Sequence, residues 1–181
     1  ANSFQDVDDR NLAGEFTISV ADKMLVAGET YTVAFTAKDL DQVQGYQFTL
    51  GYDLGEVELV DVLYGVAKAE HFGMRFVDEG QITTSWNRAA EALAEVPADE
   101  EILFSLVLSA RQDVRLSEVL DINSRYTESE AYDPNDELLE VALAFVESQT
   151  TMPGFALTQN VPNPFRETTV IGFELPQAAP A

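Results

Sequence analysis

The stretch Gly45-Tyr-Gln-Phe-Thr-Leu-Gly-Tyr52 decides the fold, because large apolar and smaller residues alternate along its whole length. One set consists of Tyr46, Phe48, Leu50 and Tyr52, and the other of Gln47, Thr49 and Gly51. Successive side chains of a β-strand point to opposite faces of a sheet, so this alternation predicts a strand with one buried face.

The same alternation recurs along the chain, in Phe16–Val20 and Tyr31–Ala37. Further strands are predicted at Val57–Tyr64, Met74–Val77, Gln81–Trp86, Ile102–Ala110, Ser124–Ala131 and Glu137–Val146. About nine short strands separated by turn-forming residues indicate an all-β, antiparallel sandwich. Helix is predicted only at Arg88–Glu95 and as a single turn within Leu116–Leu120.

The composition limits the classes of partner. The formal net charge of −22 on 181 residues would repel a phosphate backbone or an anionic lipid surface, so nucleic acid is an improbable ligand. No run of about 20 apolar residues is present, which argues against membrane insertion. The chain has no cysteine and therefore no disulfide or thiolate metal site.

Five segments of residues 13–147 resemble the cohesin family in their order and strand pattern: Ala27–Phe35, Val43–Asp53, Val57–Val60, Gly80–Trp86 and Leu103–Leu108. The resemblance implies a nine-stranded jelly-roll sandwich that binds a dockerin-like protein module through one sheet face. Because the residues of that face vary between specificities in the family, the resemblance assigns no binding residue here.

The C-terminal segment differs in kind, since Arg166, Glu167 and Glu174 are its only charged residues after position 150. It resembles the opening of the type A C-terminal sorting domain of the type IX secretion system. The matching residues are Phe155, Leu157, Gln159, Asn160, Pro162, Asn163, Pro164 and Phe165. The resemblance implies recognition by the secretion machinery and a place outside a Gram-negative cell, secreted or on the cell surface.

These patterns divide the chain into a leader or linker (1–12), the cohesin-like sandwich (13–147), a linker (148–153) and a truncated sorting-domain start (154–181). The last part holds one strand, Thr168–Leu175, where the family pattern continues through several. A single strand leaves its backbone groups unpaired, so we expect this one to lack a partner within the chain.

No pattern indicates an enzyme. His71 is the only histidine, and its place beside Phe72 favours a loop residue over a catalyst. There is no Gly-x-Ser-x-Gly elbow, and paired carboxylates are unavoidable among 32 acidic residues.

Calcium is the one cofactor that the acidic residues suggest, at two places. The first comprises Asp6, Asp8 and Asp9, and the second Asp133, Asn135 and Asp136. Neither has the glycine of an EF-hand loop at its sixth position, so a solvated leader and a type I turn are the favoured interpretations.

Three functions stay open on these grounds. The first is a protein-binding module that uses a sheet face, for which Thr30, Thr32, Thr36 and Thr83 lie on solvent-side registers. The second is a subunit of an extracellular fibre, in which Thr169, Ile171, Phe173 and Leu175 add a strand to neighbouring copies. The third is a carbohydrate-binding adhesin that stacks sugar on Trp86, although the register of Trp86 with Ile82 favours core packing.

Overall fold

The computed structural model describes residues 12–88 and 100–147, together with the backbone of residues 156–157 and 173–174. The chain divides into two compact units, Ala1–Glu147 and Ser148–Ala181. The division falls where the predicted linker begins.

Twelve strands are found in the described part of the first unit. They are β1 (Gly14–Asp22), β2 (Met24–Leu25), β3 (Thr30–Lys38), β4 (Gly45–Tyr52), β5 (Val57–Tyr64), β6 (Phe72–Gly73), β7 (Gln81–Asn87), β8 (Glu100–Ala110), β9 (Val114–Arg115), β10 (Leu120–Asn123), β11 (Glu130–Tyr132) and β12 (Leu138–Glu147). Short 3-10 turns lie at Leu40–Gln42, Ala69–His71, Val77–Glu79 and Leu116–Glu118.

Ten of these twelve strands form two layers of one curled sheet, in the order β5-β8-β3-β1-β12 and then β11-β4-β7-β6, with β10 also paired to β4, while β2 pairs separately with β9. The pairing of β11 with β12 joins the layers. All of these pairs are antiparallel except β1 with β12, which are parallel from Gly14 to Asp22. The all-β jelly-roll sandwich is therefore confirmed, and this pair corrects the expectation of a wholly antiparallel one.

The inward side chains of the two layers form one core, as the alternation predicts. In β4 the apolar set Tyr46, Phe48, Leu50 and Tyr52 is buried. Ring contacts cross between the layers, from Phe16 on β1 to Tyr46 and from Phe72 on β6 to Phe104 on β8. Each buried aromatic side chain contributes about 2–3 kcal/mol of hydrophobic stabilisation, so these rings hold the layers together.

Two predicted strands are wrong. Met74–Val77 is not a strand; β6 ends at Gly73, and a 3-10 turn begins at Val77. Ser124–Ala131 is not one strand either, because the chain leaves β4 after Asn123 and returns to it at Glu130. The predicted turn near Leu116 is confirmed. Of the predicted helix Arg88–Glu95, all but Arg88 lies outside the described residues.

In the second unit, β13 (Ala156–Leu157) pairs in antiparallel with β14 (Phe173–Glu174). Phe173 and Glu174 therefore have a partner strand within the chain, which corrects the expectation of an unpaired strand and removes the main physical reason for donating it.

Candidate functional site

The outer surface of β4, β6, β7, β10 and β11 carries polar side chains and one pair of aromatic rings; we call it the aromatic face. Its registers are fixed by strand pairing, which sets Gln47 opposite Ser85 and Glu130, and Thr49 opposite Thr83 and Asn123. Residues paired across neighbouring strands share a face, so these side chains all point away from the core.

Thr49 organises the aromatic face. Although it points outward, it is 0% exposed, because the segment 124–129 crosses over it. Its hydroxyl oxygen accepts hydrogen bonds from the backbone N–H groups of Tyr126 (3.1 Å) and Thr127 (2.9 Å), and its hydroxyl donates to the Thr127 carbonyl (3.2 Å). These bonds satisfy part-buried backbone groups of the segment, and they fix the segment on the sheet.

The fixed segment places Tyr126 flat against Phe76, with ring centroids 3.7 Å apart and an interplanar angle of 2°. The Tyr126 hydroxyl donates to the Glu79 carboxylate, which also accepts from Arg125 at 3.4 Å. This hydrogen bond to Glu79 is the main reason that the pKa of Tyr126 is raised. Tyr126 remains 37% exposed, so the stack is open to solvent.

Two arginines flank the stacked rings. The Arg125 guanidinium lies 5.4 Å from the centroid of the Tyr126 ring, and that of Arg75 lies 5.7 Å from the centroid of the Phe76 ring. The chain has only 10 lysines and arginines, and two of them lie beside these rings, where Arg125 is also 3.4 Å from the Glu79 carboxylate. Tyrosine, phenylalanine and arginine are enriched at protein interfaces.

Polar side chains fill the end of the aromatic face next to the stack. The Asn123 amide donates to Gln81 at 3.2 Å and to Asp121 at 2.7 Å. Gly51 lies beneath them, where a Cβ would come within 2.4 Å of an Asp121 oxygen, so a larger residue would require the Asp121 side chain to move. At the other end of the face, Gln47 donates to Glu130 at 2.9 Å.

The outer surface of β5, β8, β3, β1 and β12 is of another kind; we call it the small-residue face. Most of its central side chains are small, and they are Thr17, Ser19, Thr32, Ala34, Thr36, Ser105, Ala142 and Ala144. Val107 lies among them, and the exposed aliphatic side chains Ile102 and Leu63 share the face. Thr30, Thr32 and Thr36 lie here, whereas Thr83 lies on the aromatic face, so the four threonines with predicted solvent-side registers belong to two different surfaces.

The other predicted site residues fall as follows. Trp86 is 9% exposed and packs against Tyr46, so the prediction of core packing is confirmed and a sugar platform at this residue is wrong. His71 accepts a hydrogen bond from the backbone N–H of Lys68 at 2.8 Å, which is a structural role in a loop.

At the second predicted calcium site, Asp133 is engaged within its own turn. Its carboxylate accepts from the backbone N–H groups of Glu137 and Asn135 and from the Asn135 amide, and these bonds, the one from Glu137 first, hold the pKa of Asp133 below its usual range. Asp136 sits at φ 62° in this turn. The described residues hold no cluster of three or more metal-ligating side chains.

The remaining predicted residues lie outside the described part of the chain. They are Asp6, Asp8 and Asp9, the strand-donation residues Thr169, Ile171 and Leu175, and the sorting motif except Leu157. Of Leu157 and Phe173 only the strand pairing is described.

Phe76 and Tyr126 are functional candidates that the sequence patterns do not single out. Phe76 falls in a segment predicted as a strand, and Tyr126 in another. The contact of Thr49 with the segment 124–129 and the hydrogen bond from Tyr126 to Glu79 bring them together, and the sequence gives no local signal of either contact.

Comparison with known proteins bears on the fold. No protein-family model matches the chain, and no curated protein matches it. Several solved structures match the chain in fold. A type II cohesin domain from the cellulosome of Acetivibrio cellulolyticus matches with a TM-score of 0.53 at 10% identity, over 74% of this chain and 92% of that one.

Two further cohesins give similar values. The type I cohesin–dockerin complex Coh-OlpC-Doc435 from Clostridium thermocellum matches with a TM-score of 0.52 at 12% identity, over 77% of this chain and 94% of that one. The type II cohesin A11 from Bacteroides cellulosolvens matches with a TM-score of 0.52 at 10% identity, over 71% and 95%. The chain thus has a cohesin-like fold, as the resemblance implied.

Within the described residues, no helix has the length and apolar character needed to span a bilayer.

Proposed function

We propose that this protein is a non-enzymatic protein-binding module that recognises its partner through the aromatic face. The observation that carries the proposal is the Phe76–Tyr126 stack, in which Tyr126 is exposed and Phe76 half-buried, with Arg75 beside Phe76 and Arg125 beside Tyr126. Binding energy at protein interfaces concentrates in a few aromatic and arginine side chains surrounded by weaker contacts.

The rigidity of the aromatic face supports the same proposal. Tyr126 is fixed through the buried Thr49 and through Glu79, so the stack is formed before a partner arrives. A preformed contact surface loses little conformational entropy on binding. A dockerin-like module is the partner that the cohesin-like fold favours, since one of the similar structures is a cohesin–dockerin complex.

The test is a pull-down with the full chain against dockerin-like modules encoded in the same genome, followed by hydrogen exchange on the complex. We expect slower exchange at residues 47–51, 81–85 and 124–129. Protection confined to β1, β3 and β8 would place the interface on the small-residue face and refute the proposal, as would the absence of any dockerin-like partner.

Export by the type IX route and a place at the surface of a Gram-negative cell form a separate proposal, which the motif from Phe155 to Phe165 supports. Replacing Asn160 and Asn163 by alanine tests it in a bacterium that has this secretion system. We expect the variant to accumulate inside the cell while the parent chain reaches the medium or the surface, and equal export of both contradicts the proposal.

Neither the fibre nor the carbohydrate hypothesis is carried further. The pairing of β13 with β14 counts against donation of Thr168–Leu175 to another copy, and the buried Trp86 removes the sugar platform. A calcium site at Asp6, Asp8 and Asp9 stays a prediction.

A further inference from the structure

A second surface lies at the edge of the sandwich, between the two faces. A groove of about 600 Å³ runs between β5 and the loop 74–78. Four of its lining residues are large, apolar and exposed: Leu54, Val60, Tyr64 and Met74. Val60 is 57% exposed and Tyr64 51%. Scattered apolar side chains are ordinary on a protein surface, but a cluster that lines a groove marks a binding site.

One wall of the groove is the edge strand β5. It is the last strand of its layer and is paired with β8 on one side; on its other side no described strand is paired with it. The register shifts between Leu59 and Asp61, which leaves Val60 without a partner on β8 and turns it toward the groove. One backbone group of β5 is already engaged, since the Val62 N–H donates to the Asp61 carboxylate at 2.8 Å. The other outward N–H and C=O groups of an edge strand are a template for an added strand.

The opposite wall is held in place by hydrogen bonds. The Tyr52 hydroxyl donates to the Val77 carbonyl at 2.8 Å, and the backbone N–H of Tyr52 donates to the Gly80 carbonyl at 2.8 Å. Gly80 closes the turn at φ 71°, where a Cβ would come within 2.3 Å of the Tyr52 carbonyl oxygen. The groove is therefore preformed, as ligand sites commonly are.

The rim of the groove is acidic. Glu58, Asp61 and Asp78 line it, and its cation, Arg111, already forms an ion pair with Glu58 at 3.2 Å. Such a rim attracts cationic groups. It also argues against a second copy of this chain as the occupant, because docking two edges would bring together two acidic rims of chains that each carry a net charge of −22.

We propose that this groove binds an extended, basic peptide segment of a partner protein, in which apolar side chains alternate with lysine or arginine. The segment adds a strand to the free edge of β5. Its apolar side chains contact Val60, Tyr64 and Met74, and its cations face Glu58, Asp61 and Asp78.

The first experiment measures fluorescence anisotropy of labelled peptides titrated with the full chain. The probe has the eight-residue length of β5, alternates valine with lysine, and is blocked at both ends. One control peptide has glutamate for lysine, and the other has serine for valine. We expect saturable binding of the probe and at least about tenfold weaker binding of each control, because each lacks one half of the recognition.

Paired variants locate the site. Met74→Ser removes an apolar wall of the groove, while Met24→Ser makes the same change at a similarly exposed methionine on β2. We expect about fivefold weaker probe binding for the first and no change for the second. Asp78→Asn should weaken binding about threefold, and Asp41→Asn should not.

Amide hydrogen exchange supplies a second readout, in which the bound probe should slow exchange in Val57–Tyr64. Equal effects within either pair of variants, protection of another strand in place of β5, or the absence of saturable binding of the probe would each overturn the proposal.

Discussion

The two outward faces of the sandwich share one core and one strand geometry, yet they differ in what covers them. On the aromatic face, the chain between β10 and β11 leaves the sheet and folds back over Thr49, where it presents Tyr126 and Phe76. On the small-residue face, β1, β3 and β8 lie side by side with mostly threonine, serine and alanine outward, and no described segment with aromatic rings crosses them. The interruption between β10 and β11, and not the sheet itself, therefore creates the Phe76–Tyr126 stack to which we assign binding.

The largest effect on stability should follow from removing the Thr49 hydroxyl, which fixes the segment 124–129 on the sheet. Thr49→Val keeps the shape of the side chain but removes the acceptor for two part-buried N–H groups, those of Tyr126 and Thr127. We expect a loss of about 2–3 kcal/mol in the free energy of unfolding, measured by urea denaturation, because an N–H group that is shielded from water and left without an acceptor costs about 1–3 kcal/mol.

Thr32→Val is the matched control on the small-residue face, where Thr32 is exposed. It should change the free energy of unfolding by no more than about 0.5 kcal/mol. Similar losses in the free energy of unfolding for Thr49→Val and Thr32→Val would show that the outward threonines of the two faces contribute equally to stability.

The second effect concerns binding. Once a partner is identified, Tyr126→Ala and Phe76→Ala should each weaken its affinity by about 2 kcal/mol, or roughly thirtyfold, as truncated hot-spot residues do. Leu63→Ala, at a residue that is 45% exposed on the rim of the small-residue face, should leave the affinity unchanged. Isothermal titration calorimetry measures these affinities. A loss of affinity in Leu63→Ala, with none in Tyr126→Ala or Phe76→Ala, would assign the interface to the small-residue face.

The difference between the faces also marks the limit of what the sequence predicts. Alternation of residue types reproduced β5 as Val57–Tyr64 and the buried set of β4, since both depend on neighbouring side chains only. It failed at Ser124–Ala131, where the Thr49 hydroxyl takes the amides of Tyr126 and Thr127 away from strand pairing. That contact joins distant parts of the chain, and no periodicity records it.

The failure at Met74–Val77 has a similar cause. Met-Arg-Phe-Val alternates like a strand, but Val77 begins a 3-10 turn that the Tyr52 hydroxyl and the left-handed Gly80 fix. Tertiary hydrogen bonds thus override local propensity at the two places that carry Phe76 and Tyr126. For this reason the cohesin-like fold could be inferred from the sequence, and the candidate site could not.

A third effect tests how the two layers are tied together. Asp22, at the end of β1, accepts hydrogen bonds from Arg115 at 3.0 Å and from the backbone N–H (3.1 Å) and hydroxyl (3.0 Å) of Ser117, which leads into β10. Burial acts to raise the pKa of Asp22, but these hydrogen bonds outweigh it and hold the pKa below its usual value of 3.8. Asp22→Asn should cost about 1 kcal/mol at neutral pH, as measured by urea denaturation.

The pH dependence of that cost follows from the sign of the shift. A carboxyl whose pKa is lower in the folded than in the unfolded chain stabilises the fold above the unfolded value and loses that contribution as the pH falls through the folded value. The difference between the parent chain and Asp22→Asn should therefore shrink below about pH 4. A difference that stays constant down to pH 2 would show that the charge of Asp22 contributes nothing.

The smallest effect lies beneath the faces. Under the aromatic face, the Tyr46 hydroxyl is buried and finds no hydrogen-bond partner among the described residues, whereas under the small-residue face the stacked pair Phe35–Phe104 has no polar atom in its rings. Burial raises the pKa of Tyr46 far above its usual value, so ionisation of this phenol in the unfolded chain destabilises the fold above about pH 10. Tyr46→Phe removes both costs, and we expect it to stabilise the protein by about 1 kcal/mol at neutral pH and by more above pH 10. Tyr64→Phe, at a half-exposed ring, is the control and should change little in thermal unfolding at either pH. If Tyr46→Phe destabilises the protein, the Tyr46 hydroxyl has a hydrogen-bond partner, and no unsatisfied polar group lies beneath the aromatic face at this residue.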